Sequence, residues 1–199
     1  STSRPEPDYK GGTYMKNHLK PSWLSWPNWK DSRELTRAGL VAGLYIVLTF
    51  LTLPYSFGLI QFRLAETLNF TSLYNKRYVY ALTLGVFIVN AYQYGPVDMI
   101  VGSLQTLLFL WLARWIGDLV VAFFAKGASA KIQTIIRYAV LTLVFSLSMF
   151  VIALEMVVVG VAEAGFWAAY TQLFTSELVM LTLGSVIMYY VSQRVDLER

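Results

Sequence analysis

The chain has 199 residues, 56% of them hydrophobic and 14% charged, with a net charge of +4 and a mean hydropathy of +0.52. A soluble domain of this length carries nearly twice that charged fraction. Cysteine is absent and His18 is the single histidine, which excludes disulfides, thiolate catalysis and clusters of histidine or cysteine around a metal. The apolar residues run in blocks (38–53, 79–91, 97–125, 138–162 and 164–191), several of them longer than the roughly 18–20 residues that a bilayer-spanning helix needs.

In chain order, the first fourteen residues, STSRPEPDYKGGTY, are expected to be disordered sequence foreign to the fold, with Met15 as the natural start. Trp23, Trp26 and Trp29, interrupted by Pro21 and Pro27, form an aromatic anchor at the membrane interface. Hydrophobic patterning then predicts helices at about 34–53, 60–74, 78–92, 97–124, 132–156 and 165–192. The expected fold class is therefore all-α. It is a polytopic integral membrane protein with a bundle of six transmembrane helices over 34–193, preceded by a flexible interfacial segment (1–33) and followed by a short tail (194–199).

The connections alternate in charge. Lys and Arg crowd the N-terminal segment, the 2–3 turn (Lys76, Arg77), the 4–5 turn (Lys126, Lys131, Arg137) and the C-terminus (Arg194, Arg199), and the other connections hold none. The positive-inside rule then puts both termini in the cytoplasm. Arg114, four residues before Asp118, is expected to snorkel or to pair with it. Fifteen of the sixteen Lys and Arg and seven of the twelve acids fall on the inner side, giving +8. Arg63 and the five acids Glu66, Asp98, Glu155, Glu163 and Glu177 fall in the outer half, giving −4.

Acids at membrane depth are expensive, on the order of 2.5–3.5 kcal/mol each at a helix centre. Five of them on one side point to a polar cavity. Within GLIQFRLAETL (58–68), Arg63 and Glu66 are three residues apart and share a helix face. At ~100° per residue, Glu163, Trp167, Tyr170, Phe174 and Glu177 lie within roughly 80° of one another on the last helix. Asp98 and Gln105 share a stripe with Gly102, Asn90 sits at the outer end of the third helix, and Glu155 ends the fifth. Carboxylates, one arginine, amide groups and ring faces together suit a flat, hydrogen-bonding, cationic small molecule. The same residues also suit a plainer role, as packing aromatics and a structural ion pair locking the second helix. On the first helix, Ala38 and Ala42 form one small-xxx-small pair and Gly39 and Gly43 another, which suits docking of a further membrane helix or packing inside the bundle.

SFGLIQFRLAETL (56–68), NKRYVYALTLGVFIVNAY (75–92) and GPVDMIVGSLQTLL (95–108), together with six helices, Ala-xxx-Ala in the first of them and no Gly-x-x-x-x-Gly-Lys-Ser/Thr phosphate cradle, resemble the QueT family. These are substrate-binding S-components of energy-coupling factor (ECF) transporters, proposed to import queuosine precursors. The resemblance covers helices 1–4 in motif and helices 5–6 in pattern. It implies capture of a 7-deazaguanine from outside, such as the 7-aminomethyl or 7-cyano form, queuine or queuosine. It also implies docking on an EcfT-like transmembrane coupling subunit driven by two EcfA-like cytoplasmic ATPases, with toppling to release the cargo inward. No cofactor, metal, nucleic acid or enzymatic activity of its own is expected. On that reading Arg63, Gln105 or Asn90 meets the ligand carbonyl, Trp167, Tyr170 or Phe174 its ring, and a carboxylate its N–H edge. An S-component for another vitamin, or a stand-alone proton-coupled carrier using Glu66, Glu155 or Glu177, remains the alternative.

Overall fold

The computed structural model describes residues 27–55 and 63–198. The expected leader 1–14, the anchor residues Trp23 and Trp26, residues 56–62 and Arg199 lie outside the described residues. Among the described residues every regular element is helical. The elements are α1 (Ser32–Thr52), a 3-10 turn (Leu53–Tyr55), a 3-10 segment (Leu64–Leu73), α2 (Arg77–Gln93), α3 (Pro96–Phe124), α4 (Ala130–Leu147), α5 (Phe150–Val159) and α6 (Phe166–Ser192).

Local chemistry sets these boundaries. Asp31 caps α1 by accepting from the Arg33 amide at 2.9 Å, which satisfies one of the orphan donors of the first turn. Pro96 opens α3, where its missing N–H goes unmissed. Ser129 caps α4. Gly160, with φ of 85°, ends α5 in the left-handed conformation that only glycine adopts freely. Four stretches are long and apolar enough to cross a membrane: α1, α3, α6 and the run Ala130–Val159 formed by α4 and α5. The protein is a multi-pass membrane protein by this measure, and α2, at 17 residues, is short of the usual spanning length.

Two departures from the sequence reading matter for the site. The second predicted helix is a ten-residue 3-10 segment, unusually long for this geometry and buried along nearly its whole length. In a 3-10 helix residues three apart eclipse one another, so Arg63, Glu66, Asn69 and Ser72 stack along one edge. The fifth predicted helix is broken at Ser148 and Met149, where the Ser148 hydroxyl donates back to the Phe145 carbonyl at 2.6 Å.

The helices pack around the 3-10 segment: α2 lies between α1 and α3, α3 against α4, and α6 against the 3-10 segment, α4 and α5. At the end of the bundle that carries the termini, buried arginines tie the elements together. Arg137 Nε donates to Asp118 Oδ1 at 3.1 Å, and Arg77 pairs with Glu34 at 3.7 Å. The expected interaction of Arg114 with the Asp118 charge is present, and a second bond accompanies it. The Arg114 guanidinium donates to the Ser72 carbonyl, where the 3-10 segment ends with its acceptors exposed, and lies over the Trp111 ring.

α6 approaches the 3-10 segment tightly at Gly184. A Cβ there would come within 2.6 Å of Thr67 Oγ1 and 3.1 Å of its Cα. Backbone cannot yield as a long side chain does, so Gly184→Ala is expected to destabilise the protein by about 1–3 kcal/mol, the usual range for overpacking. Thermal unfolding in detergent reads this directly, and an unchanged midpoint would contradict the contact.

Candidate functional site

At the end of the bundle opposite the termini lies a cavity of about 180 Å³, large enough for one small ring system. Its walls come from α1, the start of the 3-10 segment, α2, α3 and the α4–α5 junction. Arg63 and Glu66 form one wall, Asn90 and Gln93 a second, and Asp98, Gly102 and Gln105 a third, while Tyr45, Phe145 and Met149 contribute apolar and ring surface.

Glu66 is the best-held polar group in it. Only 4% exposed, its Oε1 accepts from the Tyr45 hydroxyl at 2.9 Å and its Oε2 from Asn69 Nδ2 at 2.6 Å. The Asn69 bond follows from the 3-10 geometry, which sets position 69 directly over position 66. The Tyr45 bond depends on Gly85, because a Cβ there would stand 3.0 Å from the tyrosine ring. Each carboxylate oxygen keeps a further lone pair, so the two donors fix the plane of the group without consuming its accepting capacity. Arg63 lines the same wall, and its charge acts on Glu66, Tyr45, Tyr94 and Glu177. The opposite-charge neighbour offsets part of the cost of burying Glu66.

Around this core the polar groups are placed with unequal completeness. Gln105 Nε2 donates to Ser148 Oγ at 2.6 Å, pinning α3 to the α4–α5 break. Asn90 Nδ2 donates to the Asp98 carbonyl at 3.1 Å, and a Cβ at Gly102 would collide with that amide, so the glycine keeps Asn90 in place. Gln93 Nε2 is buried on the cavity wall without a hydrogen-bond partner. Glu177 of α6 approaches Glu66 and Arg63 from outside the cavity, is 3% exposed, and has no partner for Oε1. The carboxyls of Asp98 and Glu155 face one another beside the cavity, with Glu155 Oε2 buried and unpartnered. Buried polar atoms of this kind are normally satisfied, so a cluster of exceptions marks a place where a ligand can complete the bonding.

Of the residues singled out in the sequence, Arg63, Glu66, Asn90, Asp98 and Gln105 come together on the cavity wall. Glu155 and Glu177 adjoin it without lining it. The α6 aromatics are placed elsewhere. Trp167 is 75% exposed, Tyr170 stacks on Phe166 and donates to the Leu147 carbonyl at 3.2 Å, and Phe174 continues that ladder. The cause is α5. Met149 at its start and Ile152 within it line the cavity, and α6 packs against α5. Glu163 is exposed in the α5–α6 connection. On α1, Ala38 and Ala42 are each 6% exposed and turned into the bundle, whereas a Cβ on Gly39 or Gly43 would meet nothing within 4 Å. The open small-residue surface of α1 is thus the glycine pair.

Sequence reasoning missed Tyr45, Gln93 and Phe145. Tyr45 follows Ala38 and Ala42 at helical spacing and so shares their inward face, and Gln93 lies one turn beyond Asn90. Those two signals were present but outweighed by the charges.

Comparison with known proteins fits this geometry. The family model described as "QueT transporter" matches residues 35–193. The queuosine precursor transporter QueT of Lactococcus lactis subsp. cremoris (strain MG1363) is 38% identical over 169 residues, covering 83% of this chain and 96% of that protein. No solved structure gives a significant match. With a family model spanning nearly every element from α1 to α6 and a relative aligned over almost its full length, the chain belongs to the QueT transporter family.

Proposed function

We propose that this protein is the substrate-specificity component of an ECF-type transporter in a bacterial plasma membrane, with six spans and both termini cytoplasmic. It captures a queuosine precursor of the 7-deazaguanine class in its outward-facing cavity. A transmembrane coupling subunit and two cytoplasmic ATPases then drive import. The observation that carries this reading is Glu66, a buried carboxylate fixed in plane by Tyr45 and Asn69 and bordered by Arg63. A deazaguanine presents adjacent N–H donors and a carbonyl along one edge. Glu66 accepts from the donors, and the Arg63 guanidinium or Gln93 Nε2 donates to the carbonyl. The Tyr45 and Phe145 rings flank the heterocycle. The name of the L. lactis relative supports the cargo class, and Gly39 and Gly43 supply a face on which a coupling helix can approach closely.

A second reading, a stand-alone proton-coupled carrier, is favoured by Glu177, a buried carboxylate with an unpartnered oxygen beside a second carboxylate. Proteoliposome uptake separates the two. The S-component reading expects accumulation of a labelled deazaguanine only when the coupling subunit, the ATPases and ATP are present. Accumulation by this chain alone under a proton gradient would replace that reading with the carrier.

A further inference from the structure

On the outer surface between α4 and α6 runs a groove of about 520 Å³, separate from the cavity and sharing no residue with it. Its floor is formed by Tyr138 and Thr142, and its rim by Ile135, Leu143, Val186 and Tyr190, all exposed. Three of its hydroxyls are engaged within the bundle itself. Thr182 Oγ1 donates to the Leu178 carbonyl and Ser185 Oγ to the Thr182 carbonyl, each at 2.6 Å, and the Tyr138 and Tyr74 hydroxyls share a bond of 2.7 Å. The rest of the lining is mainly aliphatic side chain and tyrosine ring, which suits an occupant that is apolar along most of its length.

The groove follows α4 from 135 to 143 and α6 from 178 to 190, about 12 Å and 18 Å at 1.5 Å per residue. That is about half of the ~30 Å hydrocarbon core, the depth of one leaflet. It opens toward the end of the bundle that carries the termini. One helical turn beyond it stand two exposed cations: Lys131, four residues before Ile135, and Arg194, four residues after Tyr190. The backbone of the tail turns toward α1 and α2, where the Asp196 carbonyl accepts from Arg37 and the Glu198 carbonyl from Asn75 and Arg77.

We propose that this groove binds an anionic phospholipid of the leaflet nearest the termini, its acyl chain lying between α4 and α6 and its headgroup phosphate held by Lys131 and Arg194. A partner helix fits less well, since close helix approach in lipid uses small residues on the outer surface and this rim is built from long side chains.

Native mass spectrometry of the full detergent-purified chain with added phosphatidylglycerol or phosphatidylcholine of identical chains tests it. The wild type is expected to retain phosphatidylglycerol preferentially. Lys131→Gln with Arg194→Gln is expected to weaken that retention roughly thirty-fold while leaving phosphatidylcholine unchanged. Ala139→Trp, at an exposed position lining the groove, is expected to displace both lipids, and Ser185→Trp repeats that test from α6. Equal retention of the two lipids by the wild type, or retention undisturbed by both groove-filling variants, overturns the proposal. A dimer peak lost on filling the groove overturns it too, in favour of a second copy.

Discussion

Glu66→Gln is expected to weaken binding of a 7-deazaguanine by roughly a hundred-fold. On the proposed reading the carboxylate accepts two parallel N–H bonds, and hydrogen bonds to a charged group are worth about 1.5–3 kcal/mol each. An amide in its place has one accepting oxygen and presents an N–H to a ligand N–H. The loss therefore amounts to at least one charge-assisted bond plus an unmatched donor, about 3 kcal/mol, which is the stated fold-change. Tyr45→Phe removes the 2.9 Å bond to Oε1 and leaves the charge. It loosens the carboxylate's orientation, and its effect is expected to be about ten-fold smaller. Equilibrium binding to the purified protein reads both. Full affinity in Glu66→Gln would move the N–H recognition to another group.

A second large effect concerns ligand charge. Asp98 lines the cavity with its carboxyl facing that of Glu155, and two acids so placed are stabilised by a cation set between them. The 7-aminomethyl form carries such a cation and the 7-cyano form does not. The aminomethyl compound is expected to bind ten- to a hundred-fold more tightly, the value of one partly desolvated charge-assisted hydrogen bond. Glu155→Gln nearly preserves shape while removing charge, so it is expected to reduce the preference, with Asp98 still on the cavity wall, and to leave cyano affinity intact. Paired titrations of the two compounds into wild type and variant measure this. Equal affinities in the wild type would mean that the acidic pair does not read ligand charge.

Long apolar runs with clear stops were legible from sequence. The predicted helices at 97–124 and 165–192 fall within a residue of α3 and α6, because Pro96, Gly95 and Gly165 punctuate the chain where the helices begin. The 3-10 character of Leu64–Leu73 was not legible, since a polar residue every third position satisfies both an α-helical and a 3-10 face. Nor was the break before α5, which depends on Ser148 bonding backward to Phe145 and sideways to Gln105, a partner 43 residues away.

For the cavity wall, polarity was a better guide than aromaticity. Arg63, Glu66, Asn90, Asp98 and Gln105 converge because a bundle in lipid gathers its polar side chains into shared interior space. Trp167, Tyr170 and Phe174 share a helical face, yet apolar rings are equally at home against lipid or a neighbouring helix, so phase alone does not choose between them. The same ambiguity of adjacent faces, ~100° apart, separates the buried Ala38 and Ala42 from the open Gly39 and Gly43.

Equilibrium dialysis of labelled 7-aminomethyl-7-deazaguanine against the purified single chain, without ATP or partner subunits, tests the central claim most directly. It is to be run side by side for wild type, Glu66→Gln and Tyr170→Ala. The cavity account expects one equivalent bound by the wild type, near-complete loss in Glu66→Gln and full retention in Tyr170→Ala. No binding by the wild type, or binding that survives in Glu66→Gln and fails in Tyr170→Ala, would contradict it and place recognition on α6.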